Sequence, residues 1–186
     1  MARTPSVMTP LGKQATDFTL PDTVSGNNLS LQTVKGAKAT VIMFICNHCP
    51  FVKHVNAGLV KLGNDYKDKG VGFIAISSND VGGYPQDGPE QMKQVAEELH
   101  YPFPYLYDAS QDVAKAYQAA CTPDFFIFDS NLLLAYRGQL DDSRPGNEKP
   151  VTGADIRNAL DHLVAGKPVP ADQKPSIGCN IKWRDS

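Results

Sequence analysis

Two cysteines separated by two residues are the strongest chemical signal in the sequence. Cys46 and Cys49 enclose Asn47 and His48, and Pro50 follows them. A Cys-x-x-Cys pair at a helix N-terminus has a lowered thiol pKa, because unpaired N–H groups and the helix dipole stabilise the thiolate. We predict that Cys46 is the nucleophile and that Cys49, more buried and less acidic, resolves the mixed disulfide. A protonated His48 would stabilise the Cys46 thiolate further and so modulate its pKa.

The residues on either side of this motif predict the elements that position it. Residues 39–45 form a continuous apolar run, which is typical of a strand buried on both faces. Apolar side chains then recur at helical spacing, and residues 71–77 form a second apolar run after Gly70. This order predicts a strand–helix–strand unit with parallel strands and a right-handed crossover. The helical face consists of Phe51, Val55, Leu59, Leu62 and Tyr66.

The rest of the chain predicts further alternating elements. We expect a helix over about 90–99, a strand over 103–107 and a helix starting near Ser110. Two apolar runs separated by Asp-Ser-Asn predict an antiparallel hairpin of residues 125–128 and 132–136, followed by Arg137 as a surface charge on an edge strand. A last helix should begin near Thr152, which has capping-box spacing to Asp155.

The C-terminal segment has a different composition from the rest. We predict one domain over residues 1–166 and an extended tail over 167–186 that docks on it, because three prolines prevent a helix there. Ile177, Cys179, Ile181 and Trp183 alternate with more polar residues, which favours an extended segment with one face on the domain. Trp183 is expected to anchor that segment by packing.

The cysteines allow four further interpretations. Cys46, His48 and Cys49 could bind zinc if Cys121 or Cys179 completed a tetrahedral set, but the chain lacks a second ligand pair, so we predict no metal. Cys121 and Cys179 could form an auxiliary redox pair, or one of them could relay electrons to Cys46. They could equally be two reduced, buried thiols.

The overall composition excludes several classes of partner. The 186 residues carry a net charge of -2 with a pI near 6.0, so there is no basic footprint for nucleic acid or an anionic membrane. The longest apolar run is too short to span a bilayer, and the first residues lack a signal-peptide core. We therefore expect a cytoplasmic protein. Disulfide exchange needs no cofactor, because the electrons reside on sulfur.

The order of elements resembles that of the thioredoxin superfamily, specifically the peroxiredoxin-like proteins of the alkyl hydroperoxide reductase and thiol-specific antioxidant group. The resemblance rests on Cys46-Asn-His-Cys49-Pro50, on Thr122-Pro123-Asp124, and on the tail motif from Ser176 to Trp183. It implies an α/β thioredoxin fold, three-layer α/β/α with a mixed central sheet. It also implies that Thr122-Pro123 is a substrate-facing cis-proline loop opposite the Cys-x-x-Cys pair.

The resemblance implies thiol–disulfide oxidoreductase activity on protein or low-molecular-weight disulfides and dithiols, with an unidentified reductant or oxidant as partner. Peroxiredoxins place Thr and Pro upstream of the peroxidatic cysteine, whereas Met43 stands three residues before Cys46. This difference favours disulfide exchange, with a thiol-dependent peroxidase as the alternative. Thr40 stands where many thioredoxins have a buried acid, so Cys49 would need another base or water for deprotonation.

Overall fold

The computed structural model describes residues 3–185, which contain ten strands and five helices. Two short 3-10 turns lie at Lys67–Lys69 and Pro85–Asp87. The strands are β1 (Arg3–Pro5), β2 (Thr19–Pro21), β3 (Asn28–Ser30), β4 (Ala39–Phe44), β5 (Val71–Ser77), β6 (Tyr105–Tyr107), β7 (Cys121–Thr122), β8 (Asp124–Asp129), β9 (Leu134–Gly138) and β10 (Ile177–Asn180). The helices are α1 (Leu31–Val34), α2 (Pro50–Tyr66), α3 (Pro89–Glu98), α4 (Asp112–Tyr117) and α5 (Ala154–Val164).

The central sheet has the strand order β6-β5-β4-β8-β9. β4 pairs in parallel with β5, which pairs in parallel with β6, while β8 runs antiparallel to both β4 and β9. These pairings confirm the predicted strand–helix–strand unit, the hairpin and the mixed sheet. All six residues of β4 are buried, because helices pack on both faces of the sheet. The carboxyl end of β4 lies in the middle of the sheet, between β5 and β8.

Alternate residues of β4 point into two separate apolar cores. Val41 and Met43 pack in one core with residues of α2, α3 and α5. Ile42 and Phe44 pack in the other core with residues of α1 and α4. This division follows from the two-residue period of a strand and confirms the three-layer α/β/α arrangement.

Two predicted helix starts are wrong in detail. The Thr152 hydroxyl accepts a hydrogen bond from the N–H of Ala154 at 3.2 Å rather than from that of Asp155, which donates to the Leu140 carbonyl. The capping box is therefore absent, and α5 starts after Gly153, whose φ is +71°. At α4 the Ser110 hydroxyl accepts only from the N–H of Asp112.

The first turn of α4 is held by a more distant residue than Ser110. One carboxylate oxygen of buried Asp108 accepts from the N–H of Ala114 at 2.9 Å, and the other accepts from that of Val113 at 3.4 Å. A carboxylate at a helix N-terminus also stabilises the dipole. The predicted cap at Ser110 is thus replaced by an acid from the end of the preceding strand.

Arg137 is fully buried, so the prediction of a surface charge is wrong. Its guanidinium binds both carboxylate oxygens of Asp124, which is also fully buried, and stacks 3.8 Å from the centre of the Phe126 ring. The Arg137 Nε donates to the Val7 carbonyl at 3.0 Å. The N-terminal segment covers this part of the edge strand, and a buried carboxylate needs a cation beside it.

A small second sheet joins the two ends of the chain, with the order β1-β10-β7. β10 is antiparallel to both neighbours, and Cys179 lies opposite Thr122. Ile181 is buried, but Trp183 is 42% exposed, so Trp183 is not the expected packing anchor. Within residues 3–185 no helix is long and apolar enough to cross a membrane.

Candidate active site

The two motif cysteines lie where the chain leaves β4 and enters α2. Cys49 is the N-cap residue of α2, and Pro50 occupies the first turn, where a missing N–H costs nothing. Both cysteines are thiols in this structure. Cys46 is 2% exposed and Cys49 is 0% exposed, so what little surface the pair has belongs to Cys46.

The cis-proline loop lies against both sulfur atoms. The peptide bond between Thr122 and Pro123 is cis. The Thr122 hydroxyl lies 3.6 Å from the Cys46 Sγ, and the Cys49 thiol donates to the Thr122 carbonyl at 3.3 Å. The Cys46 Sγ is also 3.9 Å from the His48 Nδ1. Thus Cys46 faces two possible donors, whereas Cys49 faces an acceptor.

The two thiols share a hydrogen bond that shifts their pKa values in opposite directions. With the proton on Cys46, this hydrogen bond lowers the pKa of Cys49 to about 4 against the opposing effect of burial. The same hydrogen bond, then burial, and then the charge of Asp87 raise the pKa of Cys46. In this state Cys49 is the more acidic thiol, contrary to the sequence prediction. The two thiols therefore titrate as a coupled pair rather than independently.

Asp87 is an acidic residue of the site that no sequence pattern predicted. Its fully buried carboxylate accepts from the backbone N–H groups of Asn47 and His48, at 2.8 and 3.1 Å, and from the Asn79 amide at 2.9 Å. It also binds the His48 Nδ1 at 2.5 Å. Asp87 thus fixes the backbone between the two cysteines and the orientation of the His48 ring.

A sequence signal for Asp87 existed in the order of elements. Asn79 and Asp87 follow β5, which is parallel to β4 and adjacent to it. The carboxyl ends of parallel strands meet at one edge of a sheet, so polar residues after β5 are brought beside the residues after β4. The loop's glycines and prolines indicated irregular backbone but did not show which of its side chains points inwards.

The His48 ring is held on a second side by Tyr84, in the same loop. The two rings stack with their centres 5.2 Å apart and their planes 13° apart. The Lys182 ammonium lies 5.6 Å from the centre of the Tyr84 ring. The His48 side chain is 16% exposed, so the imidazole is positioned by packing and by Asp87 while still touching solvent.

The two remaining cysteines, Cys121 and Cys179, make different contacts. Cys179 forms a hydrogen bond with the Cys49 thiol. The thiol of Cys121 instead donates to the Pro123 carbonyl at 3.6 Å, and burial followed by the nearby Asp124 charge raises its pKa. Both cysteines are buried. β7 already pairs with β10 along one edge, so a substrate strand added at Thr122 would need the other edge.

Cys46, His48 and Asp87 form a group of three metal-capable donors, whose ligand atoms all lie within 4.8 Å of one another. This set differs from the zinc set considered from the sequence, because Asp87 takes the place of Cys49. The Asp87 oxygens already accept four hydrogen bonds. A metal ion here would compete with the contacts that hold the loop.

The sequence model of the AhpC/TSA family matches residues 11–137, more than half of the chain. The chain belongs to the AhpC/TSA family. This confirms the family resemblance drawn from the sequence, and the matched range includes β4, the Cys-x-x-Cys motif, α2 and the cis-proline loop.

Two relatives of this AhpC/TSA protein bear names that indicate different thiol chemistries. A Mycobacterium tuberculosis protein named "Putative peroxiredoxin Rv2521" is 32% identical over 108 residues, which cover 58% of this chain and 63% of the relative. The thiol-disulfide oxidoreductase ResA of Halalkalibacterium halodurans is 28% identical over 121 residues, 64% of this chain and 63% of ResA. The chain therefore spans less than two thirds of the length of these relatives.

Solved structures agree with the architecture. An uncharacterized conserved protein from Geobacillus kaustophilus is 65% identical, with a TM-score of 0.98 over 100% of this chain and 98% of that one. The thioredoxin domain of a thiol-disulfide oxidoreductase from Bacteroides vulgatus is 24% identical, with a TM-score of 0.58 over 70% of this chain and 91% of that domain. The second likeness shows the thioredoxin fold.

Proposed function

We propose that the protein is a thiol–disulfide oxidoreductase in which Cys46 attacks substrate disulfides and Cys49 resolves the mixed disulfide. The observation that carries this proposal is the hydrogen-bonded pair of thiols at the start of α2, facing the Thr122-Pro123 loop. Family membership and the relatives' names support redoxin-type chemistry on such a pair.

The contacts of the two sulfur atoms suggest how the first step begins. The Cys46 proton passes along the shared hydrogen bond to Cys49, whose thiol then donates to the Thr122 carbonyl at 3.3 Å. The Cys46 thiolate left behind faces the Thr122 hydroxyl and the His48 Nδ1. It attacks a substrate disulfide, forms one S–S bond to substrate and releases the other substrate sulfur as a thiolate.

The second step completes the transfer of two electrons from the thiol pair to the substrate. Cys49 loses its proton and attacks the Cys46 Sγ, which forms the intramolecular disulfide. The remaining substrate sulfur leaves as a thiolate and takes up the proton that Cys49 lost. We propose that the backbone of Thr122 binds an extended segment of the substrate beside Cys46. His48 is proposed to modulate the Cys46 thiolate, with Asp87 fixing its position.

A redox titration against glutathione tests this proposal. Wild type, Cys46→Ser and Cys49→Ser would be equilibrated at a series of glutathione ratios, and disulfides would be mapped by mass spectrometry. The expected result is a reversible Cys46–Cys49 disulfide that both substitutions abolish. If Cys46→Ser still reduced a disulfide substrate at the wild-type rate, the assignment of the nucleophile would be wrong.

A thiol-dependent peroxidase is the second candidate, favoured by the name of the M. tuberculosis relative. In that reaction Cys46 would attack a peroxide oxygen and become a sulfenic acid, while the O–O bond breaks and the other oxygen leaves as an alcohol or water. Cys49 would then attack the sulfenic acid and form the disulfide with loss of water. Peroxide consumption coupled to a dithiol reductant measures this activity directly. Turnover of peroxide faster than that of disulfides would make the peroxidase the principal activity.

The partners and location follow as further proposals. The substrates are proposed to be protein or low-molecular-weight disulfides, and a separate thiol reductant or disulfide oxidant resets the pair. A cytoplasmic location stays a prediction that cell fractionation can test.

A further inference from the structure

The register of the small sheet decides which of the two other cysteines can approach the thiol pair. Cys179 lies directly opposite Thr122, and Asn180 lies opposite Cys121. Residues opposite each other in an antiparallel pair project to the same face of the sheet, and successive residues project to opposite faces. Cys179 therefore shares the face of Thr122, whose hydroxyl contacts Cys46, and Cys121 projects to the other face.

The contacts of Cys179 agree with that register. Its thiol hydrogen-bonds to the Cys49 thiol and also lies against the backbone N–H of Phe51, in the first turn of α2. Cys179 is 1% exposed and belongs to the same apolar core as Cys46 and Cys49. The three sulfur atoms thus form a chain from Cys46 through Cys49 to Cys179.

Gly178 permits this close approach. A Cβ at this position would overlap the Thr122 carbonyl oxygen, so β10 can lie against the cis-proline loop only with glycine there. Burial, followed by the hydrogen bond to Cys49, raises the pKa of Cys179 to about 12. Cys179 is accordingly a protonated thiol while the Cys46–Cys49 pair is reduced.

We propose that Cys179 is a third redox thiol that exchanges with the Cys46–Cys49 disulfide; the inference rests on the proposed function. Cys179 attacks the Cys49 Sγ, a Cys49–Cys179 bond forms, the Cys46–Cys49 bond breaks, and Cys46 leaves as a thiolate. The proton lost by Cys179 is taken up by Cys46. The protein stays oxidised by two electrons throughout, so the step needs no external oxidant or reductant.

This exchange stores the disulfide on Cys49 and Cys179 and returns Cys46 to the thiol state. The Cys49–Cys179 disulfide joins two cysteines that are 0% and 1% exposed, while Cys46 becomes a thiol again. A soluble reductant would then reach the stored disulfide through Cys46, which must attack Cys49 in the reverse step. The oxidised protein is accordingly an equilibrium of two disulfide isomers.

Tryptic mapping of the oxidised full-length chain separates these isomers, because the four cysteines fall in three peptides. Cys46 and Cys49 share residues 39–53, Cys121 lies in residues 116–137 and Cys179 lies in residues 158–182, since trypsin does not cleave the Lys-Pro bonds at 167 and 174. A Cys46–Cys49 disulfide leaves peptide 39–53 alone and lighter by two hydrogens. A Cys49–Cys179 disulfide links peptide 39–53 to peptide 158–182.

The experiment uses glutathione disulfide as oxidant, with alkylation in acid before digestion to prevent rearrangement. Wild type is expected to give both products, and Cys179→Ser only the first. Cys46→Ser is expected to give only the linked peptides, since Cys49 and Cys179 can then be joined directly. Cys121→Ser, the matched control at the other buried cysteine, is expected to match wild type.

The outcomes distinguish this inference from the proposed function. Absence of the 39–53 to 158–182 link in wild type would overturn the role of Cys179, as would a link to 116–137 in its place. Absence of the disulfide within 39–53 in the Cys179→Ser variant would instead overturn the proposed function. Unfolding of each reduced variant in urea would verify that its fold is intact.

Discussion

Two fully buried carboxylates, those of Asp87 and Asp124, flank the site in contrasting environments. Asp124 is bound through both oxygens by the Arg137 guanidinium and also accepts from the Ser6 hydroxyl. Asp87 is bound by the imidazole of His48 instead. A guanidinium is always charged, whereas an imidazole can lose its proton. The first pair is thus a fixed support for the cis-proline loop, and the second positions an imidazole beside the thiols.

Removing the cation from the fixed pair is expected to have the largest effect. Arg137→Met leaves the Asp124 carboxylate buried without a partner, which we expect to lower the free energy of unfolding by about 3–5 kcal/mol. Urea unfolding of the reduced protein measures the loss. Arg157→Met is the matched control, because Arg157 pairs with a partly exposed Asp65 and such pairs contribute about 1 kcal/mol or less. Equal losses in the two variants would contradict the comparison.

On the side of the site where Asp87 lies, in contrast, the stability of the reduced protein should depend on pH through the Cys46–Cys49 thiol pair. The pKa of Cys49 in the folded, reduced protein is lowered to about 4. Its ionisation therefore stabilises the reduced fold as pH rises above that value, and this contribution is lost as pH falls through it. The oxidised protein has no such thiolate. The stability of the reduced form relative to the oxidised form should rise by up to about 1.4 kcal/mol per pH unit between pH 5 and roughly 8.

Unfolding of both redox forms at pH 5 and pH 7 measures this difference. The raised pKa of Cys46 acts in the opposite direction, but only at alkaline pH, above the ordinary thiol value. Cys49→Ser cannot form this disulfide, so its reduced form is the control, and it should gain less stability between pH 5 and pH 7 than reduced wild type does. A pH-independent difference in wild type would mean that the pair holds no thiolate in this range.

Neutralising Asp87 should change the reactivity of Cys46 more than the stability of the fold. The Asp87 charge is one cause of the raised pKa of Cys46, so Asp87→Asn should lower that pKa. In a Cys49→Ser background, the pH profile of iodoacetamide alkylation at Cys46 should move down by about one unit. Asp142→Asn, at an exposed carboxylate, is the control. An unchanged profile would show that Asp87 acts only as a structural acceptor.

The smallest effect is expected from the ring that stacks on His48. Tyr84→Leu removes the stacking contact, worth about 0.5–1.5 kcal/mol, but leaves the bond between His48 and Asp87. The same alkylation profile should move by less than it does in Asp87→Asn. A shift as large as that of Asp87→Asn would mean that the stack, and not the carboxylate, positions the imidazole.

Local sequence patterns predicted the framework around the thiols. The apolar run before Cys46, the helical periodicity after Cys49 and the second apolar run gave β4, α2 and β5 with parallel pairing. The residues that cap the N-termini of α4 and α5 were less predictable. The carbonyl of Leu140 and the carboxylate of Asp108 replaced the expected local caps, since residues distant in sequence competed for the same N–H groups.

The sequence by itself determined that two thiols stand at a strand-to-helix junction, because adjacent residues fix that geometry. Only the tertiary structure decided that Asp87 meets His48, that Arg137 is buried against Asp124, and that Cys179 rather than Cys121 reaches Cys49. Each of these depends on sheet order or register, and a shift of one residue in register would exchange the faces of Cys121 and Thr122. Such pairings between distant segments leave no periodic signal in the chain.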